Sequence, residues 1–248
     1  MIHANRLVAH RGYQSKYPEN TAVGLNQAIE AGALFIELDV QFSLDQLPII
    51  YHDTNLVRVS NLNIEVSKTL RAALLKHSAY EPSRLGDQFI DEKIAPLEIL
   101  VDILRRNPLV TAFVEIKDEA IQHCSRSLIL QTIQAILEPV RDQTVIMSFD
   151  YALALAAREA QWPQVGVVLH RWEHLDNPLI RQARPDYIYA DHKIIPADFA
   201  LETAQQLTNC KLVTYEVGDM LLAQQLLGRG VDMLETFEIA LLLNDTTL

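Results

Sequence analysis

Glu37 and Asp39 stand two residues apart inside the apolar run Phe35-Ile36-Glu37-Leu38-Asp39-Val40. Side chains of a strand alternate between its faces, so the two carboxylates point one way and Ile36, Leu38 and Val40 the other. A buried carboxylate is costly unless it is paired or holds a cation, and two side by side repel each other. A divalent metal answers both difficulties; an edge strand with one wet face is the plainer alternative for this segment taken alone. The design recurs, however. Ala112-Phe113-Val114-Glu115-Ile116-Lys117 puts Glu115 and Lys117 on one strand face. Leu7–Gly12 is a short apolar strand ending in His10 and Arg11, and Pro48–Asp53 is another ending in His52. Three carboxylates, two imidazoles and two cations thus close four apolar runs, which is the inventory of a metal-assisted reaction at an anionic group.

The elements that must position these groups alternate along the chain. Strand-like runs are Leu7–His10, Phe35–Val40, Ala112–Lys117, Val145–Phe149, Val165–Leu169, Tyr187–Ala190, Leu212–Val217 and Met233–Thr236. Apolar spacing of three and four predicts helices over Thr21–Ala31, Leu97–Arg105, Ile121–Leu137, Tyr151–Glu159, Pro196–Leu207 and Met220–Leu227. Mostly apolar strands, each followed by a helix, imply a parallel sheet. Eight such units in a chain of this length predict a (β/α)8 TIM barrel. An open doubly wound sheet is the runner-up, disfavoured because no glycine-rich phosphate loop follows the first strand. The rhythm breaks between about Ser43 and Ala95, read as a small insertion between the second and third barrel strands. It opens with a hairpin, Gln41–Phe42 against Ile49–Tyr51. The whole chain, 1–248, reads as a single domain that includes this segment. In a TIM barrel the C-terminal strand ends converge on one mouth, which would gather His10, Arg11, Glu37, Asp39, Glu115 and Lys117, with His52 leaning in from the hairpin.

Bulk properties narrow the class. The 248 residues are 49% hydrophobic, enough for a large core, and the formal net charge is −11. No basic stripe supports nucleic-acid binding. An acidic field repels anionic substrates, so a phosphate site must be locally basic, a task suited to Arg11 and Lys117. No apolar run approaches a membrane span, and no stable membrane insertion is expected. Met1–Arg6 runs into the first strand without a signal pattern, and Cys124 and Cys210 lie in no metal-type spacing. The expectation is a cytoplasmic protein. Oligomeric state is left open, a homodimer included.

The ordered motifs resemble the glycerophosphodiester phosphodiesterase family. They are His10-Arg11-Gly12 and Pro18-Glu19-Asn20-Thr21, then Gly32-Ala33, Glu37-Leu38-Asp39-Val40, Asp45 and His52-Asp53, with Leu56 and Arg58 continuing the block. Pro96-Leu97-Glu98, Glu115-Ile116-Lys117 and Ser148-Phe149 extend the likeness. Each tripeptide is weak alone, and the ordered set is specific. The resemblance implies a (β/α)8 barrel with a small insertion that hydrolyses glycerophosphodiesters to glycerol 3-phosphate and an alcohol, using Mg²⁺ or Ca²⁺. It implies Glu37, Asp39 and Glu115 as metal ligands and His10 and His52 as general base and acid, with His10 taken as the base. Arg11 and Lys117 would neutralise phosphate oxygens, and Tyr215 would wall the substrate pocket. Glu19 would orient His10 or approach the metal. The nucleophile is left open between water and a substrate hydroxyl. The second half departs from the pattern: Tyr215-Glu216-Val217-Gly218 stands for the usual Trp-Thr-Val-Asn, and Met233-Leu234-Glu235-Thr236-Phe237 lacks the usual Asp and Pro. Two alternatives follow, a lysophospholipase D acting on lipid-like diesters and a barrel that binds a phosphorylated ligand without turnover.

Overall fold

Strands that are apolar on both faces must be covered on both, and this chain achieves that by closing its sheet. The computed structural model describes residues 2–197 and 210–243. It contains β1 (Leu7–Ala9), β2 (Phe35–Phe42), β3 (Pro48–Ile50), β4 (Ala95–Pro96), β5 (Thr111–Ile116), β6 (Thr144–Ser148), β7 (Gln164–Leu169), β8 (Tyr187–Asp191), β9 (Lys211–Tyr215) and β10 (Met233–Thr236). Eight of these pair in parallel around a ring, β1-β2-β5-β6-β7-β8-β9-β10, and the pairings of β1 with both β10 and β2 close it. The ring is the expected TIM barrel, and its strands are the eight that alternation indicates.

Each barrel strand serves two cores. Val8, Phe113, Val145, Met147, Val168, Tyr187, Tyr189, Val213 and Met233 fill the interior. Their neighbours one residue away, such as Leu7, Val114, Ile146, Val167 and Leu212, with Ile36 and Leu38 of β2, join a larger core that includes buried helix residues such as Leu25, Leu104, Ile133 and Leu153. Burying a side chain of this size contributes about 1.5–3 kcal/mol, so both faces of the strands stabilise the closed ring.

The helices begin where side chains can cap them. Thr21 Oγ1 accepts from Gly24 N at 3.1 Å ahead of Ala22–Glu30. Asp150 Oδ1 accepts from Leu153 N at 2.7 Å ahead of Tyr151–Glu159, and Asp219 Oδ1 from Leu222 N at 2.9 Å ahead of Met220–Gly228. Two helix expectations need correction. The stretch Ile121–Leu137 is not one helix: a 3-10 segment, Asp118–Gln122, precedes Arg126–Leu137, whose start is set by Ser125. A short helix, Pro178–Ala183, lies between β7 and β8 where none was expected. The expected helix Pro196–Leu207 falls almost entirely outside the described residues.

Between β2 and β5 the chain makes the expected hairpin, Gln41 opposite Ile49 and Phe42 opposite Pro48, and β4 adds to β3. The residues that follow build a small core of their own from Ile49, Tyr51, Leu56, Val59, Val66, Leu74, Ala79 and Ile94. Arg71–Leu74 turns Leu74 into that core and leaves Leu70 exposed. Asp45 ties the hairpin to this segment, accepting from Ser43 Oγ at 2.6 Å and Arg71 N at 2.8 Å.

Candidate active site

A step of two residues along five of the strands carries the barrel interior from apolar to polar or charged. Val8 leads to His10, Phe35 to Glu37 and Asp39, Phe113 to Glu115 and Lys117, Val213 to Tyr215, and Met233 to Glu235. The β2–β5 register sets Asp39 directly beside Glu115 and Glu37 beside Phe113. Like charges so placed repel, and one oxygen from each of Glu37, Asp39 and Glu115 lies within 4.8 Å of the others.

Arg11 and Lys117 thread between these carboxylates. Arg11 Nε is 3.0 Å from Asp39 Oδ2, and its Nη1 donates to Glu19 Oε1 at 3.1 Å. Its backbone N donates to Glu37 Oε2 at 2.9 Å. Lys117 Nζ donates to Glu115 Oε1 at 2.8 Å and lies 3.5 Å from Asp39 Oδ1. Asn20 fixes Asp39 reciprocally, its Nδ2 donating to Oδ2 at 2.8 Å and its Oδ1 accepting from Asp39 N at 3.0 Å. The three acids therefore differ. Burial works to raise all of them. At Asp39 the charges of Arg11 and Lys117 overcome burial and hold the carboxyl well below its usual range. At Glu37, burial and then the neighbouring Asp39 and Glu235 push the carboxyl well up. At Glu115 burial also raises the carboxyl despite Lys117.

His10 is almost fully buried, and its backbone N donates to Thr236 O at 2.9 Å. Its Nε2 is 3.9 Å from both Glu37 Oε2 and Glu235 Oε2, and its Nδ1 is 3.7 Å from Glu216 Oε1. Burial, reinforced by Arg11, lowers the imidazole's pKa well below its ordinary value, against the opposing charge of Asp39. His52 stands at the end of the hairpin, its backbone O accepting from Gln41 Nε2 at 3.0 Å. Its Nδ1 is bonded to Asp53 Oδ1 at 2.7 Å, which leaves Nε2 as the nitrogen with freedom to work. Asp53 accepts in turn from Arg58 Nε and Nη2, both at 2.9 Å, and Arg58 forks onto Glu19 with two bonds of 2.7 Å.

His10, Arg11, His52, Glu115, Lys117, Phe149, Tyr189, Tyr215, Glu216 and Glu235 line one cleft of about 130 Å³ at the barrel mouth. Glu37 and Asp39 lie buried against it through Arg11. The eight side chains singled out in the sequence thus meet in one place. Of the two roles expected for Glu19, orienting His10 is not what the structure shows, since its carboxylate is held by Arg11, Arg58 and Gln14. Ser148 is structural: its Oγ donates to Ile116 O at 2.7 Å and accepts from Asp150 N at 3.1 Å. The motifs contain Asn20 and Glu235, but the sequence assigns neither a place in the site. The signal for Glu235 was present, because it follows Met233 by two residues in an apolar run, as Glu37 follows Phe35.

The donor set fits a hard divalent cation. It is all oxygen, and Glu37 Oε1 is buried without a hydrogen-bond partner. Such an orphaned carboxylate oxygen is costly until a cation meets it.

The likeness of the whole fold to solved structures is high. Against an Oleispira antarctica phosphodiesterase in complex with its product sn-glycerol-3-phosphate, the TM-score is 0.82 over 96% of this chain and 95% of that one, at 21% identity. Against a glycerophosphodiester phosphodiesterase from Thermotoga maritima it is 0.73 over 98% and 99%, also at 21% identity. Among curated proteins, mouse glycerophosphodiester phosphodiesterase 1 is 27% identical over 66% of this chain and 48% of its own length. An uncharacterized protein of Bacillus subtilis is 31% identical over 62% of this chain and 63% of its own. The matches thus span about half the length of the mammalian relatives. The model of the glycerophosphoryl diester phosphodiesterase family matches residues 10–238, from the first site histidine to just past the last barrel strand, and the chain belongs to that family.

Proposed function

We propose that the chain is a divalent-metal-dependent phosphodiesterase that hydrolyses glycerophosphodiesters to glycerol 3-phosphate and an alcohol. The observation that carries this reading is the meeting of Glu37, Asp39 and Glu115 beside Arg11 and Lys117, with His10 and His52 lining the same cleft. Family membership and the product named for the Oleispira antarctica protein support the substrate class.

Glu37, Asp39 and Glu115 would hold Mg²⁺ or Ca²⁺, which when bound supplies Lewis-acid polarisation of a phosphate oxygen. Arg11 and Lys117 face the phosphate and neutralise charge that grows on its oxygens as the bond breaks. Arg11 is oriented for this by Glu19 and Asp39, and Lys117 by Glu115. His10, whose burial favours the uncharged imidazole, accepts the proton of the attacking hydroxyl. His52, with Nδ1 held by Asp53, delivers a proton from Nε2 to the departing alkoxide, which is otherwise a poor leaving group. Tyr215 and Phe149 wall the cleft and limit water. Among the described residues no helix is long and apolar enough to cross a membrane.

The test couples release of glycerol 3-phosphate to its dehydrogenase, with Mg²⁺, Ca²⁺, Mn²⁺ or EDTA and a panel of glycerophosphodiesters. Activity that vanishes in EDTA and returns with a divalent ion is expected. Full activity in chelator overturns the metal assignment, and no release from any diester overturns the reaction. Calorimetry on Glu37→Gln should show weakened metal binding, and an unchanged affinity removes Glu37 from the ligand set.

A further inference from the structure

A second cavity, larger than the cleft at the barrel mouth, lies beside the segment that carries His52. Its volume is about 350 Å³, against about 130 Å³ for the cleft, and the two share no lining residue. Its walls are Gln41 from β2, Thr54, Val66 and Ser67 from the insertion, and Glu119, Gln122 and His123 from the 3-10 segment after β5 and the residue that follows it. Gln41, Thr54 and Glu119 each stand two residues beyond a group of the candidate site, Asp39, His52 and Lys117. The cavity therefore adjoins the site without being part of it.

The lining is polar and largely uncommitted. All but Val66 carry hydrogen-bonding side chains, and within the protein only two of these are engaged: Gln41 Nε2 donates to His52 O at 3.0 Å, and His123 Nε2 to Phe42 O at 3.0 Å. Among the described residues the Glu119 carboxylate accepts no hydrogen bond and forms no ion pair, and its Oε2 is buried in that condition. The hydroxyls of Thr54 and Ser67 and the amide of Gln122 likewise have no partner among the described residues. Groups so placed suit a ligand that both donates and accepts. No lysine or arginine lines the cavity, which disfavours an anion. A bare cation would engage the carboxylate and leave the hydroxyl and amide N–H donors idle. An apolar ligand would strand them all.

We propose that this cavity is a second binding site, for an uncharged polyol with hydroxyls on neighbouring carbons. The two oxygens of a carboxylate can accept from two such hydroxyls at once, and bonds to a charged acceptor are the strong ones. The uncommitted Glu119 carboxylate fits that task. Thr54, Ser67 and Gln122 meet further hydroxyls as donors or acceptors, and Val66 covers the carbon skeleton. The volume lies in the range of small-molecule sites. Gln41 makes the occupant felt at His52: it is 2% exposed, it lines the cavity, and its amide holds the His52 backbone. The site stands independently of the phosphodiesterase reading, because none of its lining residues is assigned to that reaction.

Sorbitol is the probe, and 1,6-hexanediol its control, a chain of the same length without neighbouring hydroxyls. Ligand-observed NMR titration of the Mg²⁺-supplemented protein should show millimolar binding of sorbitol and about tenfold weaker binding of the hexanediol. Glu119→Gln, at a half-buried position without a protein partner, should weaken sorbitol about five- to tenfold and leave Tm unchanged, and Ser67→Ala should weaken it about two- to fivefold. In protein carrying ¹³C-histidine, sorbitol should shift the ring signal of His52, identified by its loss in His52→Gln. Saturating glycerol 3-phosphate should leave the sorbitol Kd within about twofold. No binding of sorbitol, equal binding of the hexanediol, or an unaltered Kd in Glu119→Gln overturns the site. Displacement of sorbitol by glycerol 3-phosphate assigns the polyol to the cleft and overturns it as well. Binding that leaves the His52 signal in place overturns the link through Gln41.

Discussion

Glu19 is where the first strand end, the hairpin histidine and the insertion are tied together, and Glu19→Ala should cost about 3 kcal/mol of stability. The carboxylate is 1% exposed and accepts from Arg11 at 3.1 Å, Gln14 at 2.8 Å and Arg58 twice at 2.7 Å. Removing one partner of a buried ion pair costs about 3–5 kcal/mol, because the other charge stays behind. Two features place the value at the lower end. Arg58 has its side chain 44% exposed, so water screens the charge left on it. Arg11 retains Asp39 at 3.0 Å, and Arg58 retains Asp53 at 2.9 Å. For a domain of this size about 3 kcal/mol lowers Tm by roughly 6–12 °C. Glu19→Gln, which keeps one acceptor oxygen, should lose about half as much. Urea unfolding followed by circular dichroism measures both, and a double-mutant cycle with Arg58→Ala should return about 1–2 kcal/mol of coupling. A Glu19→Ala protein within about 1 kcal/mol of the parent, or a cycle without coupling, would refute the claim that this carboxylate is the hub.

His52→Ala should lower kcat by about 10²–10⁴-fold while leaving Tm near the parent value, since Asp53 keeps Arg58 as a partner; near-parental turnover would exclude His52 from proton transfer. Gly12→Ala should destabilise by about 3 kcal/mol. Gly12 has φ +84°, and a Cβ there would lie 2.5 Å from the Gly24 carbonyl carbon; a neutral effect on thermal unfolding would mean the loop can relax around it. Stability should fall with acid below the usual carboxylate range. At both Glu19 and Asp53 burial opposes ionisation, but Arg58, with Arg11 at Glu19 and His52 at Asp53, pulls the folded carboxyl below its ordinary value. A depressed folded pKa gives stability that is complete above the unfolded pKa and is lost as pH falls through the folded one. Urea midpoints against pH should therefore slope on the acid side, and Arg58→Ala should flatten that slope; an unchanged slope would assign it to other groups.

Period-two alternation made the barrel legible from sequence, because a carboxylate in an apolar strand is conspicuous against its neighbours. Glu37, Asp39, Glu115 and Lys117 stand out for that reason, and convergence of strand ends in a TIM barrel brings them to His10 and His52. What escaped was set by contacts distant in sequence or by weak local signals. The pinning of Asp39 by Asn20 spans nineteen positions and the Arg58–Glu19 fork thirty-nine, and neither leaves a periodic trace. Pro178–Ala183 buries only Ile180 and Ala183, too few for a helical pattern, although Asn177 and Pro178 mark its start. The apolar spacing of Ile121–Leu137 runs through Ser125, so the cap that divides it was hidden by the pattern around it. Glu235 satisfies the same alternation as Glu37, two residues beyond a buried apolar residue of its strand, but it stands alone there, without a second carboxylate to mark it.

The two-residue step also explains how the site is kept dry and rigid without a dedicated scaffold. Directly beneath the charged layer lies a floor of Val8, Phe35, Phe113, Val145, Met147, Val168, Tyr187, Val213 and Met233, with Phe113 edge-on to Tyr187 at 4.8 Å and to Tyr189 at 5.2 Å. Such rings exclude water from below and hold the strands at fixed spacing, so Glu37, Asp39 and Glu115 approach one another although they repel. A slip of one residue in any strand would exchange its floor residue for a helix-facing one and turn its charged group outward into the apolar core. Register in this barrel is thus constrained twice, by burial on both faces and by the cost of a misplaced charge. The strands that stabilise the fold are for that reason the ones able to hold mutually repelling ligands in place.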